Sequence, residues 1–440
     1  MKKETFNKIT DYLTSIIKGT EFYSHVFAVG GCCRDYLSDR DIKDIDLVVS
    51  IPDGGIKFAQ WLESNGYTKG SAVTYPHFGT AMFHLKEFPE HEIESVQTRK
   101  EAYRDIDTRN PETAYGTIKE DCMRRDFTYN AIYHPLTETG GMLDFNGNSL
   151  KDLDDNVLRT CGNPDVIFTE DPLRILRAVR FSSRFGSTIE EGTYNGMVKF
   201  VDRLSIISRE RIYDEFKKMV TTGDYAKVKY AMCTLWDINA FKHILPHLHT
   251  MKMLDRISLL NRIGRMYSAI FPTFEEIMAA IMLDCESAET ELRELKCSND
   301  EIREILFYIN ENKTLQAIIG NDDIEMYLSR KVMNECETER KFLTSTLVGS
   351  YEVYNEFHSF LSDDYDDYST LYGHLLEYEK EYFTYEIPVT GEDVMDELGI
   401  GPCEKVGKAL DRLKQFAFIN KDHKSREDLL GYLKYLKTEL

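Results

Sequence analysis

Phe27-Ala28-Val29-Gly30-Gly31-Cys32-Cys33-Arg34-Asp35, followed by Lys43-Asp44-Ile45-Asp46-Leu47-Val48-Val49, is the stretch from which the fold of this 440-residue chain is read. The first segment is a buried strand ending in two glycines, with a helix starting just behind them. Glycines there let the backbone come close to a phosphate, and N–H groups at a helix start favour its charge. Arg34, one helical turn on, adds a forked donor beside Gly31. Alone, a Gly-Gly after a strand is usually only a tight turn, and the second segment changes that reading. It sets two carboxylates two residues apart at the start of an apolar strand. Residues i and i+2 of a strand share a face, so Asp44 and Asp46 converge. Like charges held that close are costly unless a cation lies between them. Hard oxygen ligands suit Mg2+, and a pair of such ions on Asp44 and Asp46 is what two-metal phosphoryl transfer requires. A third catalytic carboxylate is expected from a neighbouring strand. Glu94, in Glu92-Ile93-Glu94-Ser95-Val96-Gln97, is the candidate, with Glu92 on the same face as competitor.

Outward from this stretch, the first ~135 residues mix short β-rich runs with helices. Strands are predicted at 26–29, 45–49, 80–84 and 92–96, and helices at 4–18 and 57–65. Beyond residue 165 the strand signals fade, and 171–184, 208–220, 225–236 and 273–284 carry helical periodicity. The predicted fold class is α+β: a head with a small mixed sheet, then all-α domains. The division expected is a head at 1–145, a neck at 146–265, a helical body at 266–385 and a tail at 386–440.

The formal net charge of −21 argues against indiscriminate binding of nucleic acid, since a globally acidic protein repels phosphate at long range. The charge is uneven, however: 171–265 holds 17 Lys/Arg against 10 Asp/Glu, which suits a protein that grips RNA in one place. The nine cysteines form no CxxC pair, which supports neither a zinc site nor a disulfide framework and fits reduced thiols in a cytoplasm. No apolar run reaches bilayer length, and no signal core follows the N-terminus, so neither a membrane nor a secretory route is expected.

Further motifs follow in order: Asp144-Phe145-Asn146-Gly147, Arg124-Arg125-Asp126-Phe127 before it, Glu170-Asp171-Pro172-Leu173-Arg174-Ile175-Leu176-Arg177-Ala178-Val179-Arg180 after it, and Arg209-Glu210-Arg211-Ile212-Tyr213-Asp214-Glu215. With Gly-Gly-x-x-Arg-Asp and Asp-x-Asp, this set resembles the class II (bacterial and eukaryotic-type) CCA-adding tRNA nucleotidyltransferases and the related poly(A) polymerases. The resemblance covers about residues 25–220. It implies a polymerase-β-like nucleotidyltransferase head and a helical neck, body and tail. It also implies tRNA as partner, CTP and ATP as substrates, and two Mg2+ ions per site. Asp171 and Arg174 are then the residues that pair with the incoming base. A carboxylate accepts from the exocyclic amine of C or A, and a guanidinium donates to the ring acceptor beside it, whereas G and U present the opposite polarity. Arg125, Arg177 and Arg180 are implied as triphosphate contacts, Asp126 as the sensor of the ribose 2′-hydroxyl, and Glu170 and Glu210 as supports for the arginines. The segment 100–119 occupies the position of the family's flexible loop and is full length. The resemblance implies CCA addition or repair, with a partial CC- or A-adding enzyme or a bacterial poly(A) polymerase as alternatives. Oligomeric state is not legible.

The chain departs from the family in one place. Where a metal-dependent phosphohydrolase signature would have its histidine, Ala279-Ala280-Ile281-Met282-Leu283-Asp284 has Leu283. A ligand set without it holds metal poorly, so 270–380 is expected to be a helical scaffold without hydrolase activity. The tyrosines between Tyr365 and Tyr385 sit among acids and are read as a solvated helical face.

Overall fold

The strands around the glycine pair assemble as one sheet. The computed structural model describes residues 1–76, 79–102, 112–318, 347–349, 385–419 and 425–436. After α1 (Lys3–Ile17), β1 (Val26–Val29) leads through α2 (Gly31–Leu37) to β2 (Ile45–Val49) and α3 (Gly54–Ser64). β3 (Val73–Tyr75), β4 (Thr80–His84) and β5 (Glu92–Gln97) follow, then a separate ribbon of β6 (Arg99–Ala102) and β7 (Glu112–Tyr115). α4 (Ile118–Met123), β8 (Ile132–Pro135) and β9 (Leu143–Asp144) complete the head. The sheet has seven strands in the order β3-β4-β5-β2-β1-β8-β9, with β2 and β5 parallel and the other pairs antiparallel.

Two-residue alternation sorts its faces. Ile45, Leu47, Val49 and Ile93 join Phe6, Ile9 and Leu13 of α1 and Phe58 and Leu62 of α3 in the larger core. Each such side chain contributes roughly 1.5–3 kcal/mol when fully buried, so a one-residue slip of β2 would forfeit several at once. The opposite face carries Asp46 and Glu94, with Val48, Phe27, Val29, Tyr133 and Cys122 in a smaller core beside them. Close packing of α3 on the sheet depends on glycine: a Cβ on Gly55 would lie 2.6 Å from the Ser95 carbonyl oxygen.

The helices downstream are α5 (Ser149–Asp154), α6 (Pro164–Glu170), α7 (Leu173–Phe185), α8 (Glu191–Phe200), α9 (Arg209–Val220), α10 (Tyr225–Asp237), α11 (Phe241–Ile244) and α12 (Pro246–Thr250). The helices predicted at 171–184, 208–220 and 225–236 match α7, α9 and α10 closely. Residues 1–252 with 290–297 form one compact unit. Within it, β10 (Val157–Leu158) and β11 (Thr188–Ile189) pair in parallel and tie α7 to the segment before α6.

The second unit takes in 253–289 and the residues from 298 onward. It contains α13 (Met253–Ala269), α14 (Phe274–Met282) and α16 (Asn299–Ile318), while α15 (Ala288–Leu295) crosses the division. The tail helices α17 (Gly391–Leu398), α18 (Glu404–Ile419) and α19 (Arg426–Leu436) close on a core of Val394, Leu413, Ala417, Leu429 and Leu433. Leu283 is buried, and the Asp284 carboxylate is exposed and held by Arg262 at 3.0 Å. The tyrosine-rich stretch 365–384 lies outside the described residues, as does 103–111 of the expected loop; its described flanks are the β6–β7 ribbon. Among the described residues no helix is long and apolar enough to cross a membrane.

Candidate active site

Asp46 and Glu94 are direct register partners on the parallel strands β2 and β5, so their side chains stand side by side on one face. Both belong to the wall of a cleft of about 340 Å³, together with Val29, Arg99, Arg124, Arg125, Asp126, Asp171, Arg174, Arg177 and Arg211. Burial pushes the Asp46 carboxyl up; the Arg125 charge pulls it partly back, and Asp44 raises it again. Glu94 is raised by burial first and by Asp46 second, with Arg99 opposing. Two partly desolvated carboxylates side by side, each raised by burial and by a neighbouring carboxylate, make an oxygen site short of positive charge, the electrostatic condition for holding a divalent cation. Asp44 stands just before β2, largely exposed and 3.7 Å from Lys43, outside the cleft wall.

The glycine turn borders this pair. Gly30 has φ +82°, and a Cβ there would lie 3.6 Å from Arg125 Nη1 and 3.7 Å from Asp46 Oδ2. A side chain at that point would be strained by the backbone conformation, and its Cβ would lie in van der Waals contact with both groups. Gly31 opens α2. Arg34 does not reach the cleft: its Nε and Nη2 each donate to Asp35 at 2.9 Å, and Nη1 donates to Asn130 Oδ1 at 2.6 Å. It works through Asn130, whose Nδ2 donates to Asp126 Oδ1 at 3.2 Å.

The Arg124-Arg125-Asp126 segment follows α4, whose capping box at Thr117 and Glu120 fixes its start. Asp121, on the same helix three and four residues earlier, is fully buried. It takes Arg124 Nη2 at 2.8 Å, Arg125 Nη2 at 3.1 Å and the Tyr133 hydroxyl at 2.9 Å. Burial alone would raise its carboxyl; the two guanidiniums and Tyr133 override that and bring it down to about 2. Asp126 behaves alike. Burial opposes its charge, but Arg177, at 2.6 Å, with Asn130 and the Phe127 N–H, lowers it to about 2.

The neck supplies the other wall. α6 ends at Glu170, and Asp171 turns the chain with φ −138° before Pro172 opens α7. Proline fits a helix start because no intrahelical N–H is lost there. Asp171 Oδ1 accepts from the Leu173 N–H at 3.1 Å, and Oδ2 accepts from Arg211 Nη2 at 2.8 Å. Arg174 is buried, with Nη1 donating to Glu170 and the Ile167 carbonyl, both at 3.3 Å, and Nη2 to the Arg124 carbonyl at 3.0 Å. Arg180 turns away from the cleft into a buried pair with Glu215, 2.5 Å away.

The structure thus gathers Asp46, Glu94, Arg125, Asp126, Asp171, Arg174 and Arg177 around one cleft, with Gly30 and Gly31 at its edge. Asp44, Arg34 and Arg180 lie outside its wall. Glu170 supports an arginine as expected, but Glu210 instead faces Lys296 at 3.9 Å, and the arginine support on α9 is Glu215. Asp121, Arg211 and Arg99 were missed. Asp121 carries a legible signal, since it precedes Arg124 and Arg125 at helical ion-pair spacing.

Residues 26–159 match the model of the poly A polymerase head domain, and 186–252 match that of a probable RNA and SrmB-binding site of polymerase A. A CCA-adding enzyme of Streptococcus agalactiae is 28% identical over 436 residues, spanning 98% of this chain and 96% of its own length. One from Oceanobacillus iheyensis is 35% identical over 222 residues, about half of each chain. The fold resembles the Thermotoga maritima CCA-adding enzyme solved with tRNA, at a TM-score of 0.63 and 21% identity, covering 98% of this chain and 94% of that one. It also resembles the Bacillus stearothermophilus CCA-adding enzyme solved with CTP, at a TM-score of 0.56 and 21% identity, covering 94% and 93%.

Proposed function

Because this chain belongs to the CCA-adding tRNA nucleotidyltransferase and poly(A) polymerase family, whose enzymes depend on divalent metal ions, we propose that it adds C and A to the 3′ end of tRNA from CTP and ATP, releasing pyrophosphate. The observation that carries the reading is the meeting, in one cleft, of the Asp46–Glu94 pair with the Asp171–Arg174 pair. The first supplies chemistry without substrate choice, and the second supplies choice without chemistry.

Asp46 and Glu94, with Asp44 at the rim, are the residues that would hold the cations, which we take to be two Mg2+ ions. Cations held there would supply the charge that lowers the pKa of an attacking 3′-hydroxyl and stabilises a departing pyrophosphate. The chain's own groups do the rest. Gly30 and Gly31 let the triphosphate approach the backbone, and Arg125 and Arg177 present guanidiniums to it from tethered positions. Asp171 keeps unfilled lone pairs after its bonds to Leu173 and Arg211, and so still accepts from an exocyclic amine. Arg174, anchored on three acceptors, directs its remaining N–H groups at the neighbouring ring acceptor. Asp126, kept ionised by Arg177, accepts from the Phe127 N–H, from Asn130 and twice from Arg177, so sensing a ribose 2′-hydroxyl would require that hydroxyl to replace one of these bonds. Arg34 and Arg180 act as supports, through Asn130 and Glu215. The reading divides the chain into a catalytic head (1–145), a selecting neck (146–265), a scaffold body (266–385) and a tRNA-contacting tail (386–440), and puts it in the cytoplasm, where tRNA ends are made.

The test offers tRNA lacking CCA, tRNA lacking only the final A, and mature tRNA, with CTP and ATP separately and together. Addition of C, C and A followed by arrest is the expected result. Addition limited to CC or to A makes the enzyme a partial one, and unlimited A addition makes it a poly(A) polymerase. Asp46→Asn is expected to bind tRNA and add nothing; retained addition would sink the assignment.

A further inference from the structure

α7 ends in Arg184-Phe185, and the phenyl ring of Phe185 collects three guanidiniums. Arg40 lies 4.4 Å from its centroid, Arg34 4.5 Å and Arg184 5.4 Å. The ring is fixed, stacked on Phe181 at 5.8 Å and edge-on to Tyr129 at 6.0 Å. An aromatic face attracts a cation, but three cations around one ring repel each other, so the ring alone does not account for the cluster. Nor do the nearby acids. Asp35 is occupied by both prongs of Arg34, Asp39 by Lys3 at 2.6 Å, and Asp41 by Lys2 at 2.8 Å. Arg40 and Arg184 are exposed, and among the described residues neither has a carboxylate partner. Partial burial and the like charges of Arg34, Arg180 and Arg40 hold the Arg184 guanidinium below its usual pKa, outweighing the opposing charge of Asp35. In a chain of net charge −21, two exposed arginines on one platform, neither in an ion pair among the described residues, are a local attraction for an anion.

We propose that Arg40 and Arg184 form an anchoring surface for the sugar–phosphate backbone of the RNA strand, upstream of its reacting end. This rests on the reading that the chain extends RNA. Arg184 lies seven residues beyond Arg177 and ten beyond Arg174 on the same helix, roughly 10–15 Å along its axis. A strand rising about 3.4 Å per nucleotide covers that distance in about three to five nucleotides. Planar guanidiniums match phosphate oxygens in pairs and also stack on unpaired bases, which suits a single-stranded end. The surface is rigidly tied to the cleft. Arg34, under the same ring, bonds Asn130, Asn130 bonds Asp126, and Asp126 holds Arg177.

The full chain is assayed as wild type, as the R40A/R184A double variant and as R40K/R184K. Readouts are the Kd for tRNA ending in CC, whose 3′ end is single-stranded, across a salt series, and the KM for CTP and kcat at saturating tRNA lacking CCA. For the alanine variant, the tRNA Kd is expected to rise roughly tenfold at near-physiological salt. Its dependence on log salt should become shallower by about 1.4, the value for two single-strand phosphate contacts. CTP KM and kcat should hold, and the lysine variant should restore most of the salt slope because it keeps the charge. An alanine variant that melts like wild type but keeps wild-type tRNA Kd and slope overturns the proposal. A rise in CTP KM without a change in tRNA Kd overturns it too, because the anion would then be the triphosphate. Wild-type protein that extends no RNA at all would refute the assignment of function instead.

Discussion

Asp121→Asn removes one negative charge from the interior of the head while conserving the side chain's shape. The native carboxylate is fully buried and takes Arg124 at 2.8 Å, Arg125 at 3.1 Å and the Tyr133 hydroxyl at 2.9 Å. Two routes bound the cost. The carboxyl falls from its usual 3.8 to about 2 on folding, which is worth about 2.5 kcal/mol at neutral pH. Breaking a buried ion pair from one side costs about 3–5 kcal/mol, because the other charge stays behind. The amide still accepts one hydrogen bond, so the lower end applies, about 3 kcal/mol. For a unit of this size that lowers the unfolding midpoint by roughly 6–12 °C. The guanidinium of Arg125 also loses its anchor, and a loosening of about 1.4 kcal/mol would raise the CTP KM roughly tenfold. Circular-dichroism melts and guanidinium titrations of both proteins at pH 7, with KM measured alongside, test the pair of effects. The sign with pH is fixed as well. A depressed folded-state pKa gives stability that is present above about pH 4 and lost as pH falls through about 2, so the wild-type advantage must shrink on acidification. A variant with an unchanged midpoint and KM would refute the argument, and a difference that grew toward low pH would refute its electrostatic part.

Asp126 is lowered to about 2 as well, so wild-type stability from urea titrations should drop more steeply between pH 4 and pH 2 than between pH 7 and pH 5. Asp46 is raised, and its ionised form therefore disfavours the metal-free fold as pH climbs through that raised value. Asp46→Asn should accordingly melt higher than wild type in EDTA at pH 7, gain nothing from added Mg2+, and lose at least on the order of a hundredfold in kcat; a lower midpoint in EDTA would contradict this. Glu215→Gln should cost about 3 kcal/mol by leaving Arg180 buried and unpaired, and the double change Arg180→Met/Glu215→Leu should recover most of it in guanidinium titrations. With Leu283 at the histidine position, phosphodiesterase assays with Mn2+ or Mg2+ should detect no turnover, and robust metal-dependent hydrolysis would overturn the scaffold reading.

Much of the head was legible because its signals are local. Alternation in β2 and β5 dictates which residues face the core, and that alone sets Asp46 and Glu94 on the other face. Gly30 announces a turn that side-chain-bearing residues make only with strain. The arginines of α7 were legible as a stripe but not as roles. Arg174, Arg177 and Arg180 share helical spacing, yet Arg174 and Arg177 line the cleft and Arg180 does not. What separates them is Glu215, on α9, and no periodicity within α7 reports a partner that distant. Arg34 fails for a related reason: the neighbouring Asp35 and the remote Asn130 claim its donors before a phosphate can. Composition changes near residue 145, but contacts cross that point, as in the bridge between Phe127 and Thr160, and a pairing so distant leaves no mark in the local sequence.

The same anchoring explains how an acidic chain holds so much positive charge at one cleft. Arg125 is held by Asp121, Arg174 by Glu170, Arg177 by Asp126, and Asp171 by Arg211. Each ion pair fixes one edge of a side chain that otherwise carries about 2 kcal/mol of rotamer entropy. A ligand meeting the other edge then orders little that is not already ordered, and the selectivity falls to hydrogen-bond polarity. Of the two residues proposed to select the base, Asp171 is the one whose partner, Arg211, is half exposed, so it is also the one whose orientation a ligand can most readily change. If base choice depends on a fixed carboxylate, Arg211→Met should blur discrimination between CTP and UTP while leaving the melting midpoint within a degree or two, since an exposed pair contributes at most about 1 kcal/mol. Competition assays with both nucleotides read the ratio directly. An unchanged ratio would mean that the Leu173 N–H alone holds Asp171 in place, and that Arg211 serves only as a charge at the mouth of the cleft.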